Sequence, residues 1–175
     1  MILEKLSRHI AIKIKLADPE GPGTIEILEY GIGLKLNLYI GFVLTLMFGI
    51  IFNDVIDSVI ALVAFMTLRK YSGGVHLPIT ICSVVTALFS SLTPLVELNY
   101  ITMIMFTMVT LVIVILFAPN NFEDTEIVKF EPFSKVIAAV FVLTNFYFQS
   151  STLALIFFIQ AVLILPIYSK KGGES

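Results

Sequence analysis

Residues 101–117 read ITMIMFTMVTLVIVILF, an apolar stretch without a single charged residue. A helix needs about 20 residues, with a range of roughly 17–25, to cross the hydrocarbon core of a bilayer. A strand of a membrane barrel would instead alternate apolar and polar positions, and this stretch does not. It therefore predicts a transmembrane α-helix.

Five further apolar stretches flank this one, at residues 36–52, 54–70, 78–96, 136–149 and 152–168. Of the 175 residues, 58% are hydrophobic and only 14% are charged, and the mean hydropathy is +0.98. Soluble domains average roughly 45–50% apolar and about 25% charged residues. One core could not bury this surplus, so we predict an all-α membrane protein with about six transmembrane helices, forming a single integral membrane domain over residues 1–175.

The segment before the first span, residues 1–16, predicts an amphipathic helix. Ile2, Leu6, Ile10 and Ile14 recur every four residues, and the basic side chains fall mostly on other faces. Such a helix suits the surface of an anionic membrane, but it also suits a helix packed at the edge of the domain. The sequence leaves both interpretations open.

The basic residues predict how the chain is oriented. With six spans and an inner N-terminus, all 11 of them fall on one side, and the predicted outer turns hold none. Lys and Arg near span ends stay mainly in the cytoplasm, so both termini are expected there. The inner segments 69–77 and 119–135 then face the cytoplasm too. The partners expected are the lipid bilayer and a lipid-associated partner; nucleic acid is not expected at a net charge of −2 without a basic run.

The inner segment between the second and third spans, RKYSGGVHLPITIC, holds the chemistry-bearing residues. It contains the sole cysteine, Cys82, and one of two histidines, His76. Gly73 and Gly74 favour a tight loop that a substrate main chain can approach, and Pro78 suits the first position of a helix. Cys82 would then lie about one turn inside that helix.

A cysteine near a helix N-terminus with an imidazole beside it suggests a nucleophile and its base. The helix dipole and an imidazolium both favour the thiolate over the thiol. Oxyanion stabilisation could come from backbone N–H groups at the helix start or in the Gly73-Gly74 loop, supplemented by Arg69. The same residues also have structural interpretations: Cys82 as a packing residue, His76 as an interfacial histidine and Arg69 as a cytoplasmic anchor. Spacing alone does not decide between catalysis and these structural roles.

Arg69-Lys70-Tyr71-Ser72-Gly73-Gly74-Val75-His76, followed shortly by Cys82, resembles the accessory gene regulator B (AgrB) family of membrane endopeptidases of Gram-positive bacteria. The resemblance extends to the chain length, the charged N-terminal segment and Ala118-Pro119-Asn120-Asn121. It therefore covers nearly the whole chain and implies a location in the bacterial cell membrane, with a homodimer as the expected assembly.

What the resemblance implies is cleavage of a small amphipathic propeptide. Its acidic C-terminal tail is removed, and the new carboxyl end forms a thioester on the enzyme's cysteine. A side chain of the peptide then captures the acyl group, giving a thiolactone or lactone autoinducing peptide for quorum sensing. Carried over by position, the family's catalytic histidine is His76, its arginine Arg69 and its loop glycine Gly74. Its nucleophile is assigned to Cys82.

One spacing departs from the family pattern, which has six residues between histidine and cysteine where this chain has five. Strict counting puts Ser83 at the nucleophile position. Neighbouring helical residues point about 100° apart, so Cys82 and Ser83 do not face His76 equally. Cys82 is favoured because a thiol ionises far more readily near neutral pH, and Ser83 stays the alternative nucleophile.

The rival hypothesis from another class is a non-catalytic membrane protein that binds or translocates a small peptide or lipid. No cofactor is expected for either: two histidines and one cysteine lack the spacing of metal ligands, and no phosphate-binding loop is present.

Overall fold

The computed structural model describes residues 2–75, 77–120 and 131–166, and the side chains of residues 131 and 132 are not described. Within these ranges the regular structure is helical. The α-helices are α1 (Ile2–Ala17), α2 (Ile25–Ile51), α3 (Val55–Ser72), α4 (Ile79–Leu92), α5 (Tyr100–Phe117), α6 (Glu131–Phe148) and α7 (Ser151–Val162), with a 3₁₀ turn at Thr93–Leu95 after α4.

Each predicted apolar stretch coincides with one of the helices α2 to α7. Two of them, α2 and α5, are long and apolar enough to cross a membrane by length and composition. The apolar helical stretches Ile79–Leu95, Phe133–Phe148 and Ser151–Val162 are shorter, and α3 carries Asp57, Arg69 and Lys70. The all-helical fold is as expected, and the six crossings remain a prediction.

Two predicted boundaries were wrong. The first span was placed at residues 36–52, but α2 begins at Ile25, because the Thr24 hydroxyl accepts a hydrogen bond from the Ile27 N–H and caps the helix there. Its 27 residues extend about 40 Å, longer than a hydrocarbon core of about 30 Å. The inner loop was placed at residues 119–135, but α6 begins at Glu131; residues 121–130 lie outside the described part.

Helix α1 packs against α2 and α4 through a face the sequence did not indicate. Its buried residues are Leu3, Ser7 and Ala11, of which Ser7 and Ala11 are small enough for close contact between helices. The predicted apolar stripe points outward instead, with Ile2 77% and Leu6 41% exposed. The helix is therefore packed at the edge of the bundle and still presents apolar side chains to its surroundings.

Small residues let α2 and α4 approach closely. The buried positions of α2 include Gly41, Thr45 and Gly49, a repeat every four residues that is typical of tightly packed membrane helices. The Cβ that Gly41 lacks would lie 4.0 Å from the Ser83 carbonyl oxygen of α4. The backbone of α4 is thereby held directly against α2, at the level of the candidate nucleophiles.

The other half of the bundle is an apolar cluster of α3, α5, α6 and α7. Its fully buried members include Leu68, Val114, Val142 and Phe157. The outer faces of α2, α5 and α6 carry many exposed large apolar side chains, which suit contact with lipid.

Candidate active site

The loop after α3 requires glycine at two successive positions. Helix α3 ends at Ser72, and the Gly73 N–H donates to the Arg69 carbonyl oxygen. Gly73 has a φ of 72° and Gly74 a φ of 128°, values that other residues rarely adopt. The tight turn expected at these glycines is therefore present.

The ends of α5 and α7 hold this loop through main-chain hydrogen bonds. The Gly74 N–H donates to the Asn120 carbonyl oxygen at 2.8 Å, and the Asn120 N–H donates to the Ser72 carbonyl oxygen at 3.1 Å. On the other side, the Val75 N–H donates to the Leu163 carbonyl oxygen at 3.0 Å. Three helix ends thus meet at one end of the bundle and fix the backbone up to Val75.

Gln160 of α7 supports the loop from inside the bundle. Its side chain is fully buried, and Nε2 donates to Ser72 Oγ at 3.1 Å and to the Gly73 carbonyl oxygen at 2.7 Å. Space is tight here, because a Cβ on Gly74 would lie 3.2 Å from the Leu163 carbonyl oxygen and 3.4 Å from Gln160 Nε2. The loop can therefore take only this path between α5 and α7.

Arg69 connects the loop to the cysteine. Its guanidinium donates a hydrogen bond to the Val75 carbonyl oxygen and lies 5.9 Å from the centre of the Phe65 ring. It also lies within electrostatic range of Cys82. His76 follows Val75 directly and lies outside the described residues, so its distance from Cys82 is not defined.

Cys82 is buried in the first turn of α4, and its N–H donates to the Pro78 carbonyl oxygen at 2.9 Å. Pro78 immediately precedes the helix and is not its first residue, a shift of one position from the expectation. The Cys82 sulfur receives a hydrogen bond from Asn37 Nδ2 at 3.7 Å, and Thr86 Oγ1 lies 4.0 Å away. Two polar side chains, Asn37 and Thr86, therefore lie beside the cysteine sulfur.

Ser83 contacts the same asparagine. Its hydroxyl oxygen lies 2.6 Å from Asn37 Oδ1 and 3.0 Å from the Ile79 carbonyl oxygen. Both neighbours are acceptors, so the hydroxyl proton is directed at one of them. A narrow cleft between α2, α3 and α4 reaches Ser83 and Thr86 beside this asparagine.

Glu4 of α1 completes the start of the cysteine helix. Pro78 offers no side-chain cap, and the Glu4 carboxylate instead accepts from the Thr80 N–H at 3.1 Å and from Thr80 Oγ1 at 2.7 Å. Partial desolvation raises the pKa of Glu4, but the hydrogen bonds from Thr80 together outweigh it and lower the pKa below its ordinary value. Helix α1 is thus fastened to α4 two residues before Cys82.

The structure brings the predicted residues into two connected groups. Arg69, Gly73 and Gly74 belong to the loop, and Cys82 and Ser83 share one asparagine. Among the described residues, no group of three or more His, Cys, Asp or Glu could hold a metal ion.

Two site residues were missed by the sequence interpretation, Asn37 and Gln160. Each is an amide inside a predicted apolar span, and such placement is the signal that could have identified them.

Comparisons with known proteins bear on the whole chain. The sequence model of a family described as Accessory gene regulator B matches residues 3–168. A protein of Clostridium perfringens (strain 13 / Type A) named as AgrB-like protein 2 is 32% identical over 75 residues, which are 43% of this chain and 35% of the relative. The match thus spans about a third of that relative's length. No solved structure matches significantly.

Proposed function

This chain belongs to the accessory gene regulator B family, and from that premise we propose that it is a membrane cysteine endopeptidase. Its substrate is a small amphipathic propeptide with an acidic C-terminal tail. It removes the tail through a thioester on Cys82 and promotes closure of the remaining peptide to a thiolactone or lactone autoinducing peptide.

The observation that carries this proposal is the position of Arg69. A single guanidinium binds the Val75 carbonyl oxygen, next to His76 in the chain, and acts electrostatically on the Cys82 sulfur. Catalytic cysteines characteristically lie in electropositive surroundings. A packing cysteine would need no such neighbour, so the arrangement supports Cys82 as the nucleophile.

The contacts of Ser83 favour Cys82 over its neighbour. The Ser83 hydroxyl proton is directed at a carbonyl oxygen, either Asn37 Oδ1 or the Ile79 main chain. An amide oxygen does not remove a proton at neutral pH, whereas a serine nucleophile needs a general base beside it. In this arrangement Ser83 is a hydrogen-bond donor and not an activated hydroxyl.

The proposed reaction has two acyl transfers. His76 takes the thiol proton, the Cys82 thiolate attacks the scissile carbonyl carbon, and protonated His76 gives its proton to the departing amine as the C–N bond breaks. A thiol or hydroxyl of the bound peptide then attacks the thioester, the C–S bond breaks, and the proton released by the attacking group returns to Cys82 through His76.

Stabilisation of the oxyanion does not come from the glycine loop in this arrangement. The N–H groups of Gly73 and Gly74 already donate to the carbonyl oxygens of Arg69 and Asn120. The donors left for a developing negative charge are the Arg69 guanidinium and those N–H groups in the first turn of α4 other than Thr80 and Cys82, which already donate to Glu4 and to the Pro78 carbonyl oxygen. Loss of one such donor typically costs on the order of 10²-fold or more in rate.

The proposal places the site at the cytoplasmic face of a protein with six transmembrane helices, both termini inside. The meeting of the ends of α3, α5 and α7 at one end of the bundle, beside Arg69 and Lys70, supports this arrangement. A homodimer is the expected assembly. Reporter fusions at the predicted outer turns, near residues 53, 98 and 150, test the topology; cytoplasmic reporter activity at any of them would contradict it.

The decisive experiment co-expresses the chain with a short propeptide encoded beside its gene, one with an internal Cys or Ser before an acidic tail. Cleavage is expected in the wild type and in Ser83→Ala, and is expected to disappear in Cys82→Ala and His76→Ala. Mass spectrometry should find the peptide acyl group on Cys82. Cleavage that survives Cys82→Ala but is abolished by Ser83→Ala would overturn the assignment of the nucleophile.

The rival hypothesis, a non-catalytic protein that binds or translocates a peptide or lipid, makes the opposite prediction. It expects the propeptide to remain uncleaved by the wild type and to bind equally well to Cys82→Ala.

A further inference from the structure

Asn37 lies between the two candidate nucleophiles and contacts both. It is partly buried on α2, with Nδ2 3.7 Å from Cys82 Sγ and Oδ1 2.6 Å from Ser83 Oγ. One amide thus presents a donor to the sulfur and an acceptor to the hydroxyl. No other described side chain contacts both residues through hydrogen bonds.

The orientation of this amide follows from the hydroxyl beside it. A separation of 2.6 Å suits an O–H···O hydrogen bond and is shorter than the usual 2.7–3.2 Å of N–H···O. The atom of Asn37 facing Ser83 is therefore the oxygen, which turns the NH₂ group toward the sulfur. The hydrogen bond from Ser83 therefore determines that Cys82 contacts the NH₂ group of Asn37 and not its oxygen.

An N–H donor favours the thiolate over the thiol, because hydrogen bonds to a charged acceptor are roughly twice as strong as those between neutral groups. We propose that Asn37 is a positioning residue that holds the Cys82 thiolate, and that Ser83 is the residue that orients Asn37. The inference rests on the proposed function, in which Cys82 is the nucleophile. It also gives Ser83 a task that does not require it to attack the substrate.

Two other charged groups face this part of α4 and remain constant in the test. Arg69 of α3 lies within electrostatic range of Cys82, and Glu4 of α1 lies at Thr80, two residues before the cysteine. His76 adds a third titrating group outside the described residues. Variants of Asn37 and Ser83 leave Arg69, Glu4 and His76 unchanged. A difference in thiol reactivity between these variants is therefore due to the Asn37 amide and its orientation.

The experiment measures the alkylation of Cys82 by iodoacetamide as a function of pH. The full chain is used in lipid nanodiscs, and because Cys82 is the sole cysteine the reagent reports on one thiol. The variants are Asn37→Ala, Asn37→Asp, Ser83→Ala and the control Thr45→Val. Thr45 is a buried residue of the same helix whose hydroxyl bonds only to its own helix, at the Gly41 carbonyl oxygen.

Asn37→Ala is expected to move the alkylation midpoint upward by about one pH unit, a tenfold loss of thiolate near neutral pH. Asn37→Asp, which keeps the acceptor but replaces the donor with a negative charge, should move it further. Ser83→Ala should move it in the same direction by less, and Thr45→Val should leave it in place. Circular dichroism shows whether Asn37→Ala folds. If it does not, Asn37→Asp tests the role of the amide, because aspartate has nearly the same shape as asparagine.

An unchanged midpoint in Asn37→Asp, or a shift in Thr45→Val equal to that in Asn37→Ala, would refute this role for Asn37. The readout needs no substrate, so it is separate from the proposed peptidase activity. With the propeptide available, Asn37→Ala should lower kcat about tenfold with little change in KM, while a rise in KM alone would indicate a structural role.

Discussion

Replacing Gly74 by alanine tests whether the loop before His76 is held as the structure describes. An L-residue at a φ of 128° is strained by about 1–3 kcal/mol. The new Cβ would also lie 3.2 Å from the Leu163 carbonyl oxygen, which accepts the Val75 N–H. Loss of that hydrogen bond adds about 1 kcal/mol, so we expect a total cost of about 2–4 kcal/mol in unfolding free energy.

The matched control is Gly31→Ala. Gly31 lies within α2, and a Cβ there meets nothing within 4 Å. Alanine is the better helix former by about 1 kcal/mol, so this variant should be slightly more stable than the wild type. Equilibrium unfolding in mixed detergent micelles, followed by circular dichroism, measures both. If Gly74→Ala unfolds within about 0.5 kcal/mol of the wild type, the described packing of the loop against α5 and α7 is refuted.

Three further predictions concern the polar contacts that fasten the helices. Gln160→Leu removes two hydrogen bonds to the loop and should cost about 2 kcal/mol, with loss of peptidase activity. Glu4→Gln should weaken the start of α4 by about 1 kcal/mol and remove a pH dependence. The lowered pKa of Glu4 makes its contribution complete above an ordinary glutamate pKa of about 4.3, and the contribution is lost as the pH falls through the lowered value. Asn145→Leu breaks the hydrogen bonds of the buried Asn145 side chain to Thr107 Oγ1 and to the Ser150 N–H, and should cost about 0.6–1.7 kcal/mol for each bond without changing Cys82 alkylation.

Unfolding in micelles tests Gln160→Leu and Asn145→Leu. Unfolding measured at several pH values from about 3 to about 7 tests Glu4→Gln. A Gln160→Leu variant as stable as the wild type would contradict the role of Gln160 in supporting the loop. A Glu4→Gln variant that keeps the wild-type pH dependence would show that another group is responsible. A changed pH midpoint of Cys82 alkylation in Asn145→Leu would mean that the packing around Asn145 affects the surroundings of the cysteine.

The helical fold could be predicted because apolar stretches long enough for a helix leave little alternative. The start of α2 could not, since the prediction followed the strongly apolar stretch at residues 36–52, whereas the Thr24 cap begins the helix at Ile25. The packed face of α1 was also missed. Periodicity identifies the most apolar face, whereas close packing against a neighbouring helix selected the small residues Ser7 and Ala11.

The candidate site was predictable only where local chemistry defines it. The positive φ of Gly73 and Gly74 and the first-turn position of Cys82 follow from neighbouring residues. Asn37 is 45 residues from Cys82 in the chain, and Gln160 is 87 residues from Gly73. Their roles depend on which helices lie side by side, and a single sequence does not specify this.

The closing of the loop by α7 has a consequence for biosynthesis. A ribosome that has released α1 to α5 has already delivered Cys82, Arg69 and the paired glycines, yet the chain still lacks Gln160 and the Leu163 carbonyl oxygen that complete the loop. The loop before His76 can therefore reach its described conformation only after the last described helix, α7, has been made and packed against α3.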